Sequence, residues 1–365
     1  MRGKLVQTTI FSHNIDMKRR QIGDSELSVS EICLGSMNWG QQCDEADAHE
    51  QLDFAIDQAG INFIDTAEVY PIPPSPERQG LTETYIGNWL AKRNKRDDLV
   101  IATKVSAADG LMQTRDPGSP AVLTAEKIRE AIDGSLSRLQ TDYVDLYQLH
   151  WPERHTNFFG VRGYQALPEE DATSLHETLS ALGELVSAGK VRYIGLSNET
   201  PWGVMEFLRL AERYNLPKIV SIQNQYSLLN RTFEIGLSEI CLKENIGLLV
   251  YSALNMGVLS GKYLGGARPE KARFSLSERN EWRYNPERAQ PAIQAYVDLA
   301  RRHNLDPSQM ALAFARQRAF TTSLIIGATT MKQLRDDIAS AELQLSDEIL
   351  AEVEAIHLQM PDMTH

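Results

Sequence analysis

Residues 60–70 read Gly60-Ile-Asn-Phe-Ile-Asp65-Thr-Ala-Glu-Val-Tyr70: a glycine, a short apolar run, and a carboxylate where the run stops. The same punctuation recurs in Leu99-Val-Ile-Ala-Thr-Lys104 and in Val144-Asp-Leu-Tyr-Gln-Leu-His150, which end in an ammonium and an imidazole. Later runs end in Ser197-Asn198, Gln223-Asn224 and Tyr251-Ser252. A charge at the end of a buried strand is costly unless it is paired. Asp65 and Lys104 end consecutive runs, so in a parallel sheet they are neighbours able to pair. One polar strand end is ordinarily structural; six in series point to a functional face.

Working outward, short apolar and β-branched runs occupy residues 32–37, 62–66, 99–105, 144–150, 193–197, 219–223, 248–252 and 323–327, eight in all. Amphipathic stretches separate them. The first, 44–58, carries Leu52, Ala55 and Ile56 at helical spacing, and Gly60 follows as terminator. Thr124 with Lys127 opens another helix, Ser174 with Glu177 is a capping-box pattern, and Thr200-Pro201 places proline in a first turn. Strands alternating with helices argue for parallel βαβ units, and eight units argue for a (β/α)8 TIM barrel. An open doubly wound sheet is the alternative, but Gly35 and Gly40 after the first run do not make its Gly-x-Gly-x-x-Gly turn. Long segments at 71–82, 107–123, 151–173 and 262–286 each follow a strand. They belong on the C-terminal face, where barrel enzymes build their pockets.

Composition sets the outer bounds. The chain has 365 residues, 42% hydrophobic and 24% charged, which excludes a mostly disordered protein. Its 37 basic against 49 acidic residues leave a net charge of −12, which argues against general nucleic-acid binding. No apolar run reaches the ~20 residues of a membrane span, and residues 1–16 lack a secretory core. Cys33, Cys43 and Cys241 show no Cys-x-x-Cys spacing, so neither a disulfide framework nor a zinc site is expected, and the expected location is the reducing cytoplasm.

The strand-end groups suggest chemistry. Tyr70 lies five residues beyond Asp65 and can fold back over the strand ends. A phenol ionises near pH ~10 unperturbed, and the Lys104 ammonium is expected to lower that value. His150 would add a hydrogen bond to the same substrate atom. Such a set suits protonation of a carbonyl oxygen while the carbon is reduced, and since no side chain donates hydride, a cofactor is implied. Gly257-Val-Leu-Ser-Gly261-Lys262 fails as a Walker loop, with three residues between its glycines and Tyr263 where Ser or Thr belongs. A glycine-rich turn beside Lys262 still suits a pyrophosphate. His49-Glu50 and His176-Glu177 lack the second histidine of a zinc protease, and Ser197 sits in Gly-Leu-Ser-Asn, not in a hydrolase elbow.

From about Lys18 onward the chain resembles the aldo-keto reductase superfamily. Residues 60–70 match its signature, and the match continues through Ala-Thr-Lys104, Asp-Leu-Tyr-Gln-Leu-His150, Gly195-Leu-Ser-Asn198, Gln223-Asn-Gln-Tyr226, Tyr251-Ser-Ala-Leu254 and Gly327-Ala-Thr-Thr330. Within the superfamily it looks most like the Tas-type branch, on Tyr70-Pro-Ile-Pro-Pro, Gln79-Gly-Leu-Thr-Glu-Thr-Tyr-Ile-Gly-Asn-Trp89 and His150-Trp-Pro-Glu-Arg. The resemblance implies one barrel domain over residues 17–365, with long βα loops and a C-terminal helix, preceded by an extension at 1–16. It implies a tetrad of Asp65, Tyr70, Lys104 and His150, with Tyr70 as proton donor.

It also implies NADPH laid across the strand ends. Ser197, Asn198 and Gln223 would meet the carboxamide and Tyr251 would stack on the nicotinamide. The pyrophosphate would lie along Ser252, Leu254, Gly257, Gly261 and Lys262. Gly327, Thr329, Thr330 and Gln333 would hold the adenosine ribose phosphate. Many relatives carry a cation near this last stretch; here the candidates are Lys332 and Arg335, and Asp337 stands where Asn is usual. The implied activity is NADPH-dependent reduction of a small-molecule aldehyde or ketone. A redox-sensing regulator of the potassium-channel β-subunit type is the rival, but such relatives commonly lack the histidine that is present here as His150. A Schiff-base aldolase using Lys104 ranks last, because Asp65 would keep that amine charged.

Overall fold

The computed structural model describes residues 17–93, 95–107, 122–165, 172–278 and 281–364. The extension expected at 1–16, most of the 107–123 segment and part of 151–173 lie outside the described residues. The chain begins with an antiparallel hairpin, β1 (Arg19–Gln21) and β2 (Ser28–Ser30). Eight parallel strands follow: β3 (Ile32–Gly35), β4 (Phe63–Asp65), β5 (Val100–Val105), β6 (Val144–Leu149), β7 (Val191–Ser197), β8 (Ser221–Gln225), β9 (Gly247–Tyr251) and β10 (Thr321–Ile326). They close into a barrel because β10 pairs with both β9 and β3. All eight runs read from the sequence are strands, with ends moved by a few residues.

Helices α1 (Glu45–Asp53), α2 (Leu81–Arg93), α3 (Ala125–Leu139), α4 (Leu175–Ser187), α5 (Pro201–Tyr214) and α6 (Leu237–Glu244) follow β3 to β8 in turn. After β9 come two single turns, α7 (Arg273–Leu276) and α8 (Glu281–Tyr284), then α9 (Gln290–Arg302) and α10 (Pro307–Arg316). α11 (Met331–Ala339) follows β10, and α12 (Asp347–Gln359) packs on α9. The caps are largely those expected: Thr124, Ser174 and Thr200 each accept a backbone N–H at the helix start. Glu177 departs from the capping-box pattern. Its carboxylate accepts from the Ala125 amide of α3, which ties two neighbouring helices together.

Strand periodicity divides the core into two layers. Cys33, Phe63, Val100, Ala102, Leu146 and Leu249 point into the barrel, and Ile22, Leu27 and Val29 of the hairpin fill its N-terminal end. Leu34, Ile64, Ile101, Tyr147, Leu149, Ile222 and Val250 point outward under the helices. The hairpin was not foreseen, because a six-residue pair is too short to show periodicity. An ion cluster holds it down. Glu31, fully buried, accepts from Arg316 (3.0 Å) and Arg20 (3.2 Å), and Arg20 also donates to the carbonyl oxygens of Arg316 (3.0 Å) and Thr321.

Removing one partner of a buried pair leaves an uncompensated charge. Glu31→Ala is therefore expected to cost about 3–5 kcal/mol in urea unfolding, because it strands Arg316. Arg20→Ala should cost clearly less, since its side chain is 32% exposed and water can replace it. Equal losses would place the stability of this end elsewhere.

Candidate active site

The same alternation that sends Phe63, Ala102 and Leu146 inward also sends Asp65, Lys104 and Gln148 inward two residues later, with His150 just past the end of β6. Polar groups thus replace the apolar core at the C-terminal end of the barrel. Lys104 is wholly buried. Its Nζ donates to Asp65 Oδ2 at 2.7 Å and to the Thr66 carbonyl at 2.8 Å, and lies 3.5 Å from the Tyr70 hydroxyl. Asp65 Oδ1 accepts from Gln223 Nε2 at 2.8 Å and from Gln148 Nε2 at 3.4 Å. Tyr70 meets the His150 ring edge-on at 5.6 Å. The structure therefore brings Asp65, Tyr70, Lys104 and His150 into one constellation.

The electrostatics differ from expectation at Tyr70. Burial pushes its phenol well above the ordinary value, and the Asp65 carboxylate and Tyr284 act in the same direction. The expected lowering by Lys104 does not prevail, because Asp65 is closer to that ammonium than Tyr70 is and opposes its charge. Tyr70 is a protonated phenol at neutral pH. His150 moves the other way: burial, then the Lys104 charge, holds it well below the usual histidine range, so its ring is neutral. Its Nδ1 lies 3.2 Å from Ser106 Oγ, and Trp151 packs on it at 4.6 Å.

The strand ends on the far side form a second network. Ser197 Oγ donates to the Gln223 carbonyl (2.8 Å), and Asn198 Nδ2 donates to the His150 carbonyl (2.8 Å). Tyr251 donates to Asn198 Oδ1 at 2.6 Å. From Ser252 to Lys262 the backbone turns sharply, with positive φ at Ser252, Asn255, Met256, Gly257 and Gly261, and Leu254 packs half-buried against the core. A Cβ on Gly257 would strike Lys262 Nζ at 2.7 Å, so this ammonium lies directly over the glycine.

Arg273, missed in the sequence, belongs beside Lys262. Burial lowers the pKa of both cations and each repels the other. Arg273 donates to Asn38 Oδ1, and Asn38 Nδ2 approaches Gly327. No carboxylate of the described residues lies within 4.0 Å of either cation. Nothing in the loop sequence marked Arg273, because only the folding of 262–286 back over the barrel brings it here. The same fold places Arg283 against Tyr251 and Gln225, and Tyr284 near Tyr70.

At α11 the expected residues are present but differently engaged. Thr330 caps the helix by accepting from the Gln333 amide, and Gln333 Oε1 accepts from the Thr329 amide and hydroxyl, both at 3.0 Å. Lys332 pairs with Asp336, and Arg335 lies on the Phe54 ring at 4.9 Å. Those two cations are therefore occupied outside the cleft, and Lys262 with Arg273 supply its positive charge. Asp337 is buried on the inner face of α11. Burial, with help from Asp336 and Asp306 and against Lys262, pushes its carboxyl up to about 7. No cluster of metal-ligating side chains occurs among the described residues, and none of their helices is long and apolar enough to cross a membrane.

Comparison with known proteins identifies the family. The profile of the Aldo/keto reductase family matches residues 31–357. Protein tas of Escherichia coli (strain K12) is 55% identical over 343 residues, covering 93% of this chain and 98% of the relative. The uncharacterized oxidoreductase YrpG of Bacillus subtilis (strain 168) is 34% identical over 339 residues, covering 92% and 94%. Norsolorinic acid reductase B of Aspergillus parasiticus is 28% identical over 349 residues, covering 93% and 84%. With a closed (β/α)8 barrel and matches of this extent, the chain belongs to the aldo/keto reductase family of NAD(P)H-using oxidoreductases.

Proposed function

We propose that this protein reduces the carbonyl of a small aldehyde or ketone with NADPH, using Tyr70 as the proton donor. The observation that carries the reading is a buried, protonated phenol 3.5 Å from an ammonium that Asp65 holds in place. The bound nicotinamide would supply a hydride to the carbonyl carbon. Tyr70 gives its proton to the carbonyl oxygen, and the Lys104 ammonium is placed to stabilise the phenolate left behind. Neutral His150 orients that oxygen by a hydrogen bond: with Nδ1 at Ser106, its Nε2 is the nitrogen left for substrate. Lys104 acting instead as a Schiff-base nucleophile is disfavoured, since its amine donates to Asp65 and to the Thr66 carbonyl.

The donor set fits a dinucleotide. Two adjacent half-buried cations, Lys262 and Arg273, with no carboxylate beside them call for an anion, and the positive-φ turns at Gly257 and Gly261 let backbone approach it closely. We assign Ser197, Asn198 and Gln223 to the carboxamide and Tyr251 to the nicotinamide face. Residues 252–262 and Arg273 take the phosphates, and Gly327, Thr329, Thr330 and Gln333 the adenosine end, where the α11 dipole also favours an anion. We read residues 17–365 as one barrel domain that carries all of these residues.

Tyr70→Phe should lower carbonyl reduction by roughly 10²–10⁴ while NADPH affinity changes little. A panel of aldehydes, ketones and quinones followed by NADPH absorbance measures this, and near-wild-type turnover removes Tyr70 from the mechanism. Lys104→Met alone should unfold at lower urea, because it strands Asp65; adding Asp65→Asn should recover part of the loss, though not the activity.

Asp337 generates a pH prediction. Its carboxyl ionises near 3.8 when unfolded and near 7 when folded, so the folded state holds the extra proton between those values. Stability thus falls as pH rises through that window, and the penalty is complete above it. Asp337→Asn should raise Tm at pH 8, with the gain shrinking to nothing toward pH 4. It should also widen the preference for NADPH over NADH in fluorescence titrations, by removing a negative charge near Lys262. A Tm gain independent of pH would show that Asp337 does not titrate in this range.

A further inference from the structure

Beyond α12 the chain returns to the catalytic face, where residues 362–364 lie among its loops. Arg162, in the segment after β6, donates to the carbonyl oxygens of Asp362 (3.2 Å) and Thr364 (2.6 Å). Arg288 donates to the Met363 carbonyl at 3.1 Å, and Asp362 Oδ1 accepts from the Arg231 amide at 2.7 Å. Thr364 is fully buried. Its amide and hydroxyl both donate to the Leu229 carbonyl, at 3.1 and 3.3 Å, and its Oγ1 accepts from Asn255 Nδ2 at 2.8 Å.

The geometry at Asn255 gives that last bond weight. The Thr364 hydroxyl proton points to Leu229, so the oxygen can only accept from Asn255, and this orients the Asn255 amide. Asn255 is itself wholly buried, and its Oδ1 has no partner among the described residues. Thr364 is therefore the single hydrogen-bond partner of this side chain there. Asn255 begins a run of three left-handed residues, with φ of 47° at Asn255, 56° at Met256 and 86° at Gly257. Asn and Gly tolerate this region; Met does not adopt it without strain, so the run needs an external hold. The Lys262 ammonium lies over Gly257, in the space a Cβ there would fill.

We propose that residues 361–364 are a latch on the dinucleotide segment, in which Thr364, through Asn255, holds residues 252–262 in the left-handed turn that presents Gly257 and Lys262 to the cofactor. Thr364 is thus a positioning residue. The proposal rests on the assignment of residues 252–262 to the dinucleotide phosphates.

The test compares Thr364→Val, which keeps the shape and removes the hydroxyl, with Thr364→Ser, which restores it, both in the full chain. Hydrogen exchange without cofactor should quicken within 252–262 in Thr364→Val and return to normal in Thr364→Ser. NADPH Kd by fluorescence titration should rise about 3- to 10-fold, the share of one hydrogen bond, and recover with Ser. Tm should fall by no more than a few degrees in Thr364→Val, the effect of one buried hydrogen bond lost, and recover in Thr364→Ser. Unchanged exchange in 252–262 overturns the latch, whatever happens to Kd. Faster exchange there with unchanged Kd overturns instead the assignment of the segment to the dinucleotide. Faster exchange throughout the barrel with a much larger fall in Tm overturns the positioning role, making the tail a general clamp.

Discussion

A lysine ammonium buried at the end of a barrel strand is the constraint around which this catalytic face is built. Desolvating Lys104 would be prohibitive alone, so Asp65 stands on the adjacent strand at 2.7 Å, and Asp65 is in turn braced by Gln223 and Gln148. Four of the eight strands, β4, β5, β6 and β8, thereby share one hydrogen-bonded core. The register of a parallel barrel makes the arrangement possible, since β4 pairs Asp65 with Ala102, two residues before Lys104. A slip of one residue would turn Lys104 outward into the helix layer.

That pairing also decides what Tyr70 can do. An uncompensated lysine would favour the phenolate; a lysine neutralised by Asp65 leaves burial in control, and the phenol keeps its proton. His150 is held neutral by burial and by the same lysine charge. The site thus holds a loaded acid beside a neutral hydrogen-bonding ring, while its free positive charge lies further along the face, at Lys262 and Arg273.

The two ends of the barrel are closed by different means. The N-terminal end is plugged by the apolar side chains of the hairpin and pinned by Glu31 with Arg316 and Arg20. The C-terminal end is covered by returning loops, whose order depends on side chain to backbone bonds. Glu153 is one such point: it accepts from the amides of Leu123 and Thr173, the closing ends of two long segments. Thr364 is another.

The sequence by itself determined the barrel, because eight short apolar, β-branched runs separated by amphipathic stretches, several of them capped, are a local pattern that needs no knowledge of the neighbours. It also determined the strand-end residues, since a polar group that ends an apolar run is visible without knowing its neighbours. Asp65, Lys104, His150 and Gln223 were legible for that reason. What only the tertiary structure decided depends on segments distant in sequence. Arg273 reaches Lys262 by the folding of 262–286, and Thr364 reaches Asn255 across 109 residues. The Tyr70 proton and the engagement of Arg335 by Phe54 belong to the same class. Burial and pairing are sums over all packed neighbours, and no local pattern encodes such sums.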